Sequence, residues 1–153
     1  MKSRPLSFQP DIDDIIRKCT FCSLAMVDAE GKPYVLPMNF GYSDKVIYLH
    51  SAPEGKKIDI LKQHPDVCVG FSADLELRYR DVDVACSYSM KYKSVLVYGK
   101  VEFIADLKEK AAALDVIMRQ YTSESFTYNA PALNNVCVYK VVGELFEGRV
   151  YGY

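Results

Sequence analysis

Short apolar runs bounded by turn residues recur along this chain, several of them with the two-residue period of β-strands. Two connections, at residues 29–32 and 43–45, are too short for a helical crossover, so the strands that they join pair antiparallel. The pattern therefore predicts a mainly β fold. Strands are predicted at residues 20–28, 33–42, 46–50, 66–78, 94–104 and 136–142, with one more short strand within residues 143–153.

Three segments have the helical period instead. In the first of them, Ile12, Ile15 and Ile16 fall on one face of a helix. The longest has Asp106 and Glu109 at the spacing of a capping box, which marks its start. Helices are predicted at residues 10–19, 56–63 and 106–121, and residues 122–135 are predicted to be a loop.

Six to seven antiparallel strands with about three helices predict a β-barrel with peripheral helices. A split barrel and a six-stranded Greek-key barrel both fit this pattern. Pro37 lies inside a predicted strand and has no N–H for the ladder, so it marks a sheet edge or a bulge. Gly99 marks a bulge or a bend in the strand at residues 94–104.

Length and charge exclude several classes of protein. The chain has 153 residues, which predicts a single domain over residues 1–153. Its net charge of -1 favours neither nucleic acid nor an anionic membrane as a partner. No apolar run approaches the ~18 residues of a membrane span. The basic residues at the N-terminus are not followed by an apolar segment, so a cytoplasmic protein is expected.

The five cysteines are predicted to be reduced thiols that pack as small hydrophobic groups. Cys19 and Cys22 form a C-x-x-C pair, but the pair closes a helix and enters a strand, whereas redox motifs open a helix. A zinc site would need two more ligands, and no second pair of cysteines follows. We therefore predict no metal site and no redox role for this pair.

One stretch, residues 33–57, carries the residues best suited to binding a cofactor. Two apolar strands lead to His50 and Ser51, and Gly55 is followed directly by Lys56 and Lys57. Ammonium groups and free N–H groups at a helix start suit a phosphate. The alternative is an ordinary solvated helix start. Imidazole titrates near neutral pH, so His50 is the candidate for a proton-transfer role, with a structural role as the alternative.

The sequence PYVLPMNFGYSDKVIYLHSAPEGKK, followed further on by YKSV, resembles the FMN-binding strands of the pyridoxamine-5′-phosphate-oxidase-like split barrels. The resemblance is strongest to the Nim-type (nitroimidazole resistance) branch. It implies an FMN-binding split barrel, with His50 near the flavin ring as the catalytic candidate. The implied cofactor-binding residues are Pro37, Met38, Asn39, Phe40, His50, Ser51, Lys56, Lys57, Tyr92, Lys93, Ser94 and Val95.

The same resemblance implies an FMN-dependent oxidoreductase that uses NADH or NADPH and a small electron-poor acceptor such as a nitroaromatic. Pyridoxamine phosphate is not expected as substrate, because no histidine lies near the C-terminus and Arg149 is the only late arginine. Two alternatives remain open: a flavin-binding carrier or sensor without turnover, and a barrel with no cofactor.

A homodimer is expected, because the related split barrels place FMN in a cleft between two subunits. The residues give a separate reason. A barrel this small is filled by its own side chains, so a flavin would lie outside it and need a partner subunit to exclude water. Twelve tyrosines, several of them within residues 79–98, suit such an interface.

Overall fold

Residues 2–153 are described by a computed structural model, and they form nine strands, four α-helices and one short 3-10 helix. The strands are β1 (Ser3–Leu6), β2 (Cys22–Val27), β3 (Pro33–Met38), β4 (Gly41–Ser43), β5 (Val46–Ser51), β6 (Asp66–Arg78), β7 (Ser89–Ile104), β8 (Cys137–Val142) and β9 (Leu145–Tyr151). The α-helices are α1 (Gln9–Lys18), α2 (Lys56–Gln63), α3 (Leu107–Arg119) and α4 (Ala130–Asn134), and the 3-10 helix (Ala85–Ser87) lies between β6 and β7.

All strand pairs are antiparallel, and the sheet branches at β7. The main path runs β3-β2-β6-β7-β8-β5-β4, and β1 joins through β9. Residues 92–98 of β7 pair with β9, whereas residues 101–104 pair with β8. Gly99 lies at this branch, where a Cβ atom would be 2.4 Å from the carbonyl oxygen of Val142. Glycine is therefore needed there for close backbone approach.

The main core is formed by the inward-facing residues of the sheet together with the buried faces of α1 and α2. Ile12, Ile15 and Ile16, the predicted apolar face of α1, are all buried. A second, smaller core forms where α3 packs on β5 and β8, with Val138 and Ala113 at its centre. The two cores do not cover the face of strands β3, β2, β6, β7 and β9 that is directed away from the main core.

The prediction of a mainly β barrel with peripheral helices is confirmed. Pro37 lies on β3, which is an edge strand of the sheet. Of the two predicted alternatives, a sheet edge or a bulge, the sheet edge is therefore confirmed. The turn at residues 43–45 is also confirmed, with Asp44 and Lys45 at positive φ. Asp106 caps α3 by accepting a hydrogen bond from the N–H of Glu109 at 3.0 Å.

Four features of the fold were not predicted. The short strand β1 was missed because its four residues, Ser-Arg-Pro-Leu, are mostly exposed and do not alternate between apolar and polar, and β9 is its pairing partner. The strand predicted at residues 33–42 is two strands, β3 and β4. β7 begins at Ser89 rather than Ser94, and α4 forms within the predicted loop at residues 122–135. The Asn129 side chain caps α4 by accepting from the N–H of Ala132 at 2.9 Å.

Among residues 2–153, no helix is both long enough and apolar enough to cross a membrane.

Candidate functional site

The start of α2 offers unpaired donors next to open space. Gly55 precedes the helix with φ 129° and, having no side chain, supplies no capping hydrogen bond. The first N–H groups of a helix have no partners within the helix, so those of α2 remain available. Nothing lies within 4 Å of the position that a Cβ atom of Gly55 would take. An anion therefore has both donors and room at this end of α2.

Lys57 lies at this helix start as a half-buried ammonium group. It has no ion-pair partner among the described residues. Burial lowers its pKa from the ordinary value, and the electrostatic interaction with the nearby Cys137 sulfur opposes that shift. A partly desolvated cation without a counter-ion is stabilised when a negative group binds beside it.

His50 lies beside Lys57 at the end of β5. Burial, and then the charge of Lys57, lower the pKa of His50 below 6.5, so the imidazole is neutral at pH 7. Its Nδ1 atom is buried and has no hydrogen-bond partner among residues 2–153. Because the folded-state pKa lies below the unfolded value, this group destabilises the fold progressively as the pH falls below about 6.5.

Ser51 joins a buried polar contact that the sequence analysis missed. Its Oγ lies 3.4 Å from the hydroxyl of Tyr139, which in turn lies 3.7 Å from the sulfur of Met38. Tyr139 is fully buried, and burial raises its pKa to about 12, so the hydroxyl stays protonated. The only signal in the sequence was a tyrosine inside an apolar strand, where its hydroxyl needs a partner.

Lys56 points away from Lys57. Its Nζ lies 4.6 Å from the centre of the Tyr34 ring. It lines an open cavity of about 380 Å³ together with Asp28, Glu30 and Asp59. Successive helical residues point in directions about 100° apart, which accounts for the separation. The structure thus places Lys57, but not Lys56, beside His50.

The predicted residues of β3 and the turn after it alternate between the surface and the core. Pro37 and Asn39 are exposed, whereas Met38 and Phe40 are buried. The Phe40 ring packs edge-to-face on Phe71 with ring centres 5.0 Å apart. Any contact of this segment with a ligand outside the barrel therefore comes from its backbone and from Pro37 and Asn39.

The predicted residues of β7 also face opposite ways, because successive side chains of a strand alternate. Val95 is fully buried, and Lys93, which shares its face, pairs with Asp74 at 2.8 Å. Tyr92 and Ser94 lie on the outer face, where Tyr92 stacks on Tyr151. The four residues therefore do not converge on one ligand through their side chains.

Within one chain, the predicted residues of β3 and β7 lie apart on the same sheet. Ser23 of β2 is opposite Pro37 on one side and Gly70 on the other, and Gly70 is opposite Leu96. Three strand spacings, roughly 14 Å, therefore separate Pro37 from Leu96. A single copy does not bring both groups of residues together at this face.

The side of the sheet that faces away from the main core is apolar and uncovered in the single chain. Val35, Ala25, Cys68, Tyr98 and Leu145 form one row across five strands, and Leu96 lies in the next row. We call these six residues the outer apolar face. Val35 is 64% exposed and Leu145 52% exposed, so large apolar side chains here meet solvent. A contiguous exposed apolar patch of this kind marks an interaction site.

Cys19 and Cys22 are buried free thiols. The Cys19 thiol donates to the carbonyl oxygens of Ile15 and Ser72. Burial raises the pKa of Cys22 to about 12, so it carries no thiolate at neutral pH. In residues 2–153 no three side chains of histidine, cysteine, aspartate or glutamate are grouped to hold a metal ion.

The sequence model of the pyridoxamine 5′-phosphate oxidase family matches residues 9–150 of the chain. Among solved structures, a candidate 5-nitroimidazole antibiotic resistance protein from Bacteroides thetaiotaomicron is 45% identical, with a TM-score of 0.88. That match covers 97% of this chain and 87% of the other. Among curated proteins, none matches the chain in sequence.

Two more distant structures share the fold. The flavocytochrome Anf3 from Azotobacter vinelandii is 19% identical with a TM-score of 0.83, over 99% of this chain and 70% of the other. An FAD-binding protein from Mesorhizobium loti is 24% identical with a TM-score of 0.71, over 99% of this chain and all of the other. At these identities the likeness shows the split-barrel fold alone.

Proposed function

This chain belongs to the pyridoxamine 5′-phosphate oxidase family, and we propose that it is an FMN-dependent oxidoreductase of the Nim-like branch. The observation that carries the proposal is the group formed by Lys57, His50 and the uncapped start of α2. This group combines a cation without a counter-ion, an unpartnered buried imidazole nitrogen and free N–H groups. A flavin phosphate and the polar edge of its ring supply the partners that these groups lack.

In this proposal each residue has a separate task. Lys57 and the N–H groups of α2 hold the phosphate, and the neutral His50 holds or moves a proton at its imidazole. Tyr139 positions Ser51 from inside the barrel, at the 3.4 Å separation of their oxygens. Bound FMN supplies the hydride and electron chemistry, while the protein supplies binding, orientation and electrostatics.

The expected cofactor is FMN. The helix start offers one anion site, which matches the single phosphate of FMN, whereas FAD has two linked phosphates. Structures with the same fold from Mesorhizobium loti and Mycobacterium smegmatis are named for FAD, so a direct comparison of the two flavins tests the choice.

The purified protein is expected to be yellow, and acid extraction followed by chromatography should release FMN. Fluorescence titration of the stripped protein should give a lower dissociation constant for FMN than for FAD. Tighter binding of FAD would correct the cofactor, and a colourless protein that binds neither flavin would remove the proposed function.

The proposed reaction is a two-electron transfer. NADH or NADPH is oxidised, giving up a hydride equivalent, and a small electron-poor acceptor such as a nitroaromatic takes the two electrons with protons from solvent. The proposed setting is the cytoplasm, which the five free cysteines support. The alternative, a carrier or sensor, predicts tight flavin binding with no oxidation of NADH or NADPH when an artificial acceptor is added.

The proposal includes a homodimer formed through the outer apolar face. A second copy related by a twofold axis would cover the exposed Val35, Leu96, Tyr98 and Leu145 side chains. Such a copy would also bring its own β7 toward β3 of the first, which one chain cannot do across roughly 14 Å. The flavin then lies between the two subunits, where water is excluded.

Light scattering at micromolar concentration is expected to give the mass of two chains. Leu96→Lys should shift the mass to that of one chain, because it places a charge in the apolar contact. Val142→Lys is the matched control: Val142 is exposed to the same degree, at 40% against 38%, but lies outside the outer apolar face. A single-chain mass for the unmodified protein with FMN bound would refute the interface.

His50 is expected to affect the reduction potential or the turnover of the flavin rather than its binding. His50→Ala should retain most FMN binding but shift the flavin reduction potential or slow turnover of the acceptor, because a neutral, half-buried imidazole is removed. Spectroelectrochemical titration measures the potential. His64→Ala, which changes the exposed second histidine, is the control. Complete loss of FMN from folded His50→Ala protein would instead make His50 a binding ligand.

A further inference from the structure

The two longest strands extend beyond the rest of the sheet as a hairpin. Past Ala73, β6 pairs with β7 alone, and residues 89–91 of β7 pair with β6 alone. We call residues 75–90 the arm. Its large apolar side chains are each more than one third exposed, and they are Leu75, Leu77, Tyr79, Val82, Val84, Tyr88 and Met90.

A β-bulge at Asp74 decides which way these side chains face. Ala73 is opposite Lys93, but Glu76 rather than Leu75 is opposite Lys91, so β6 contains one extra residue. Asp74 adopts φ 52° at this point. Without the extra residue Leu75 would share the inner face with Lys91. The bulge thus returns Leu75 and Leu77 to the outer side of the sheet.

The apolar side of the arm is continuous with the outer apolar face. Leu77 is opposite Met90. Along β7, Met90 is followed on the same side by Tyr92, Ser94, Leu96 and Tyr98, because side chains alternate along the strand. A single strand of 16 residues therefore links the arm to the outer apolar face.

The base of the arm is held in place. The carboxylate of Asp74 pairs with Lys18 at 3.1 Å and with Lys93 at 2.8 Å. Its carbonyl oxygen accepts a hydrogen bond from the hydroxyl of Tyr153 at 2.6 Å, and Lys91 lies 4.0 Å from the centre of the Tyr153 ring. At the tip, the rings of Tyr79 and Tyr88 stack with centres 4.7 Å apart. These contacts stabilise the arm in the orientation that the structure shows.

The size of the outer apolar face indicates why an arm is needed. Five strands about 4.8 Å apart and roughly three residues deep give a footprint on the order of 250 Å². Stable interfaces bury about 800 Å² on each partner. The charges of the arm, with Glu76, Asp81 and Asp83 against Arg78 and Arg80, are nearly balanced, so they neither repel a second copy nor favour nucleic acid or an anionic membrane.

We infer that the arm packs its Leu75, Leu77 and Met90 side against a second copy of this chain, as an extension of the contact made by the outer apolar face. The occupant is a second copy because the arm and the outer apolar face are one surface on the same strands. A twofold axis then places each arm against the partner. The inference rests on the homodimer of the proposed function and adds a second contact region to it.

The test is a double variant, Leu77→Glu with Met90→Lys, which replaces an apolar cross-strand pair by an ion pair. The adjacent Glu76–Lys91 pair, at 3.0 Å, shows that this hairpin accepts such a pair, so the arm should still form. Sedimentation equilibrium is expected to show a dimer dissociation constant at least about tenfold higher than for the unmodified protein. The Val142→Lys control should leave the constant unchanged.

A second variant keeps the test valid if the first variant does not fold. In this second variant Leu77 and Met90 are both replaced by threonine, which suits a strand but lacks the large apolar side chain, and the melting temperature checks the fold. Like the Glu–Lys variant, it should weaken the dimer, because both remove the apolar pair of the proposed contact. If both variants keep the dissociation constant of the unmodified protein while Leu96→Lys dissociates the dimer, the inference fails and the proposed dimer stands. If the unmodified protein is monomeric, both fail, and FMN binding is judged separately by titration.

Discussion

Replacing Lys57 by alanine lowers the affinity for FMN by about ten- to a hundredfold, the value of one charge-assisted hydrogen bond of roughly 1.5–3 kcal/mol. The reason is that Lys57 is a half-buried cation with no ion-pair partner among residues 2–153, beside an uncapped helix start. Fluorescence titration of the stripped protein measures the affinity. The melting temperature of the apoprotein should hardly change.

Lys56→Ala is the matched control, because it removes the same charge one residue earlier on the same helix. Its ammonium group lies over the Tyr34 ring and lines a cavity with three carboxylates, away from His50. We expect a loss of affinity for FMN of less than about threefold, since a solvent-exposed charge contributes little. Equal losses in the two variants would show that both lysines contact the phosphate, and no loss in either would place the phosphate elsewhere.

Gly41→Ala is expected to destabilise the protein by at least about 3 kcal/mol, at the upper end of the usual cost of overpacking. A Cβ atom there would lie 2.5 Å from the backbone nitrogen of Ile117 and 2.6 Å from the carbonyl carbon of Val116. Both atoms belong to the backbone of α3, so no side chain can move aside. Thermal unfolding should show a decrease in melting temperature of roughly 6–12 °C.

Gly70→Ala is the control for a glycine in the same sheet. The nearest atom to its added Cβ would be a methyl carbon of Leu96 at 3.6 Å, an ordinary contact. Its melting temperature should stay within a few degrees of the unmodified protein, because a change of about 1 kcal/mol shifts a chain of this size by roughly 2–4 °C. Equal melting temperatures for both variants would show that β4 and α3 are not held as closely as the structure has them.

Elements with a strong local signal were predicted correctly. The apolar stripe of α1, the cap of α3 by Asp106 and the turn at residues 43–45 each depend on residues a few positions apart. Such signals are complete within the sequence, because the interacting groups are neighbours along the chain. β1 has no comparable signal, since its hydrogen-bond partner, β9, lies at the other end of the chain.

The sequence identified the stretch of the candidate site that ends in His50, Ser51 and Lys57. It did not show which side chains of that stretch point to the same side. Adjacent pairs such as Lys56 and Lys57, or Lys93 and Ser94, were predicted to act together. The structure turns the members of each pair to different sides, because neighbouring positions on a helix or strand do not share a face. Tyr139 was missed because its partners are far away in the sequence: Ser51, on the neighbouring strand β5, is 88 positions away and Met38 is 101 positions away.

The sequence alone determined the class of fold, the family and the segment that carries the candidate site, because apolar periodicity, turn residues and short motifs are local. The tertiary structure alone showed that Lys57 has no counter-ion, that His50 has an unpartnered nitrogen and that Pro37 and the β7 residues lie apart. It also showed that one extra residue at Asp74 turns the arm's leucines outward. These properties depend on strand register and on burial, which arise only when distant segments pack together.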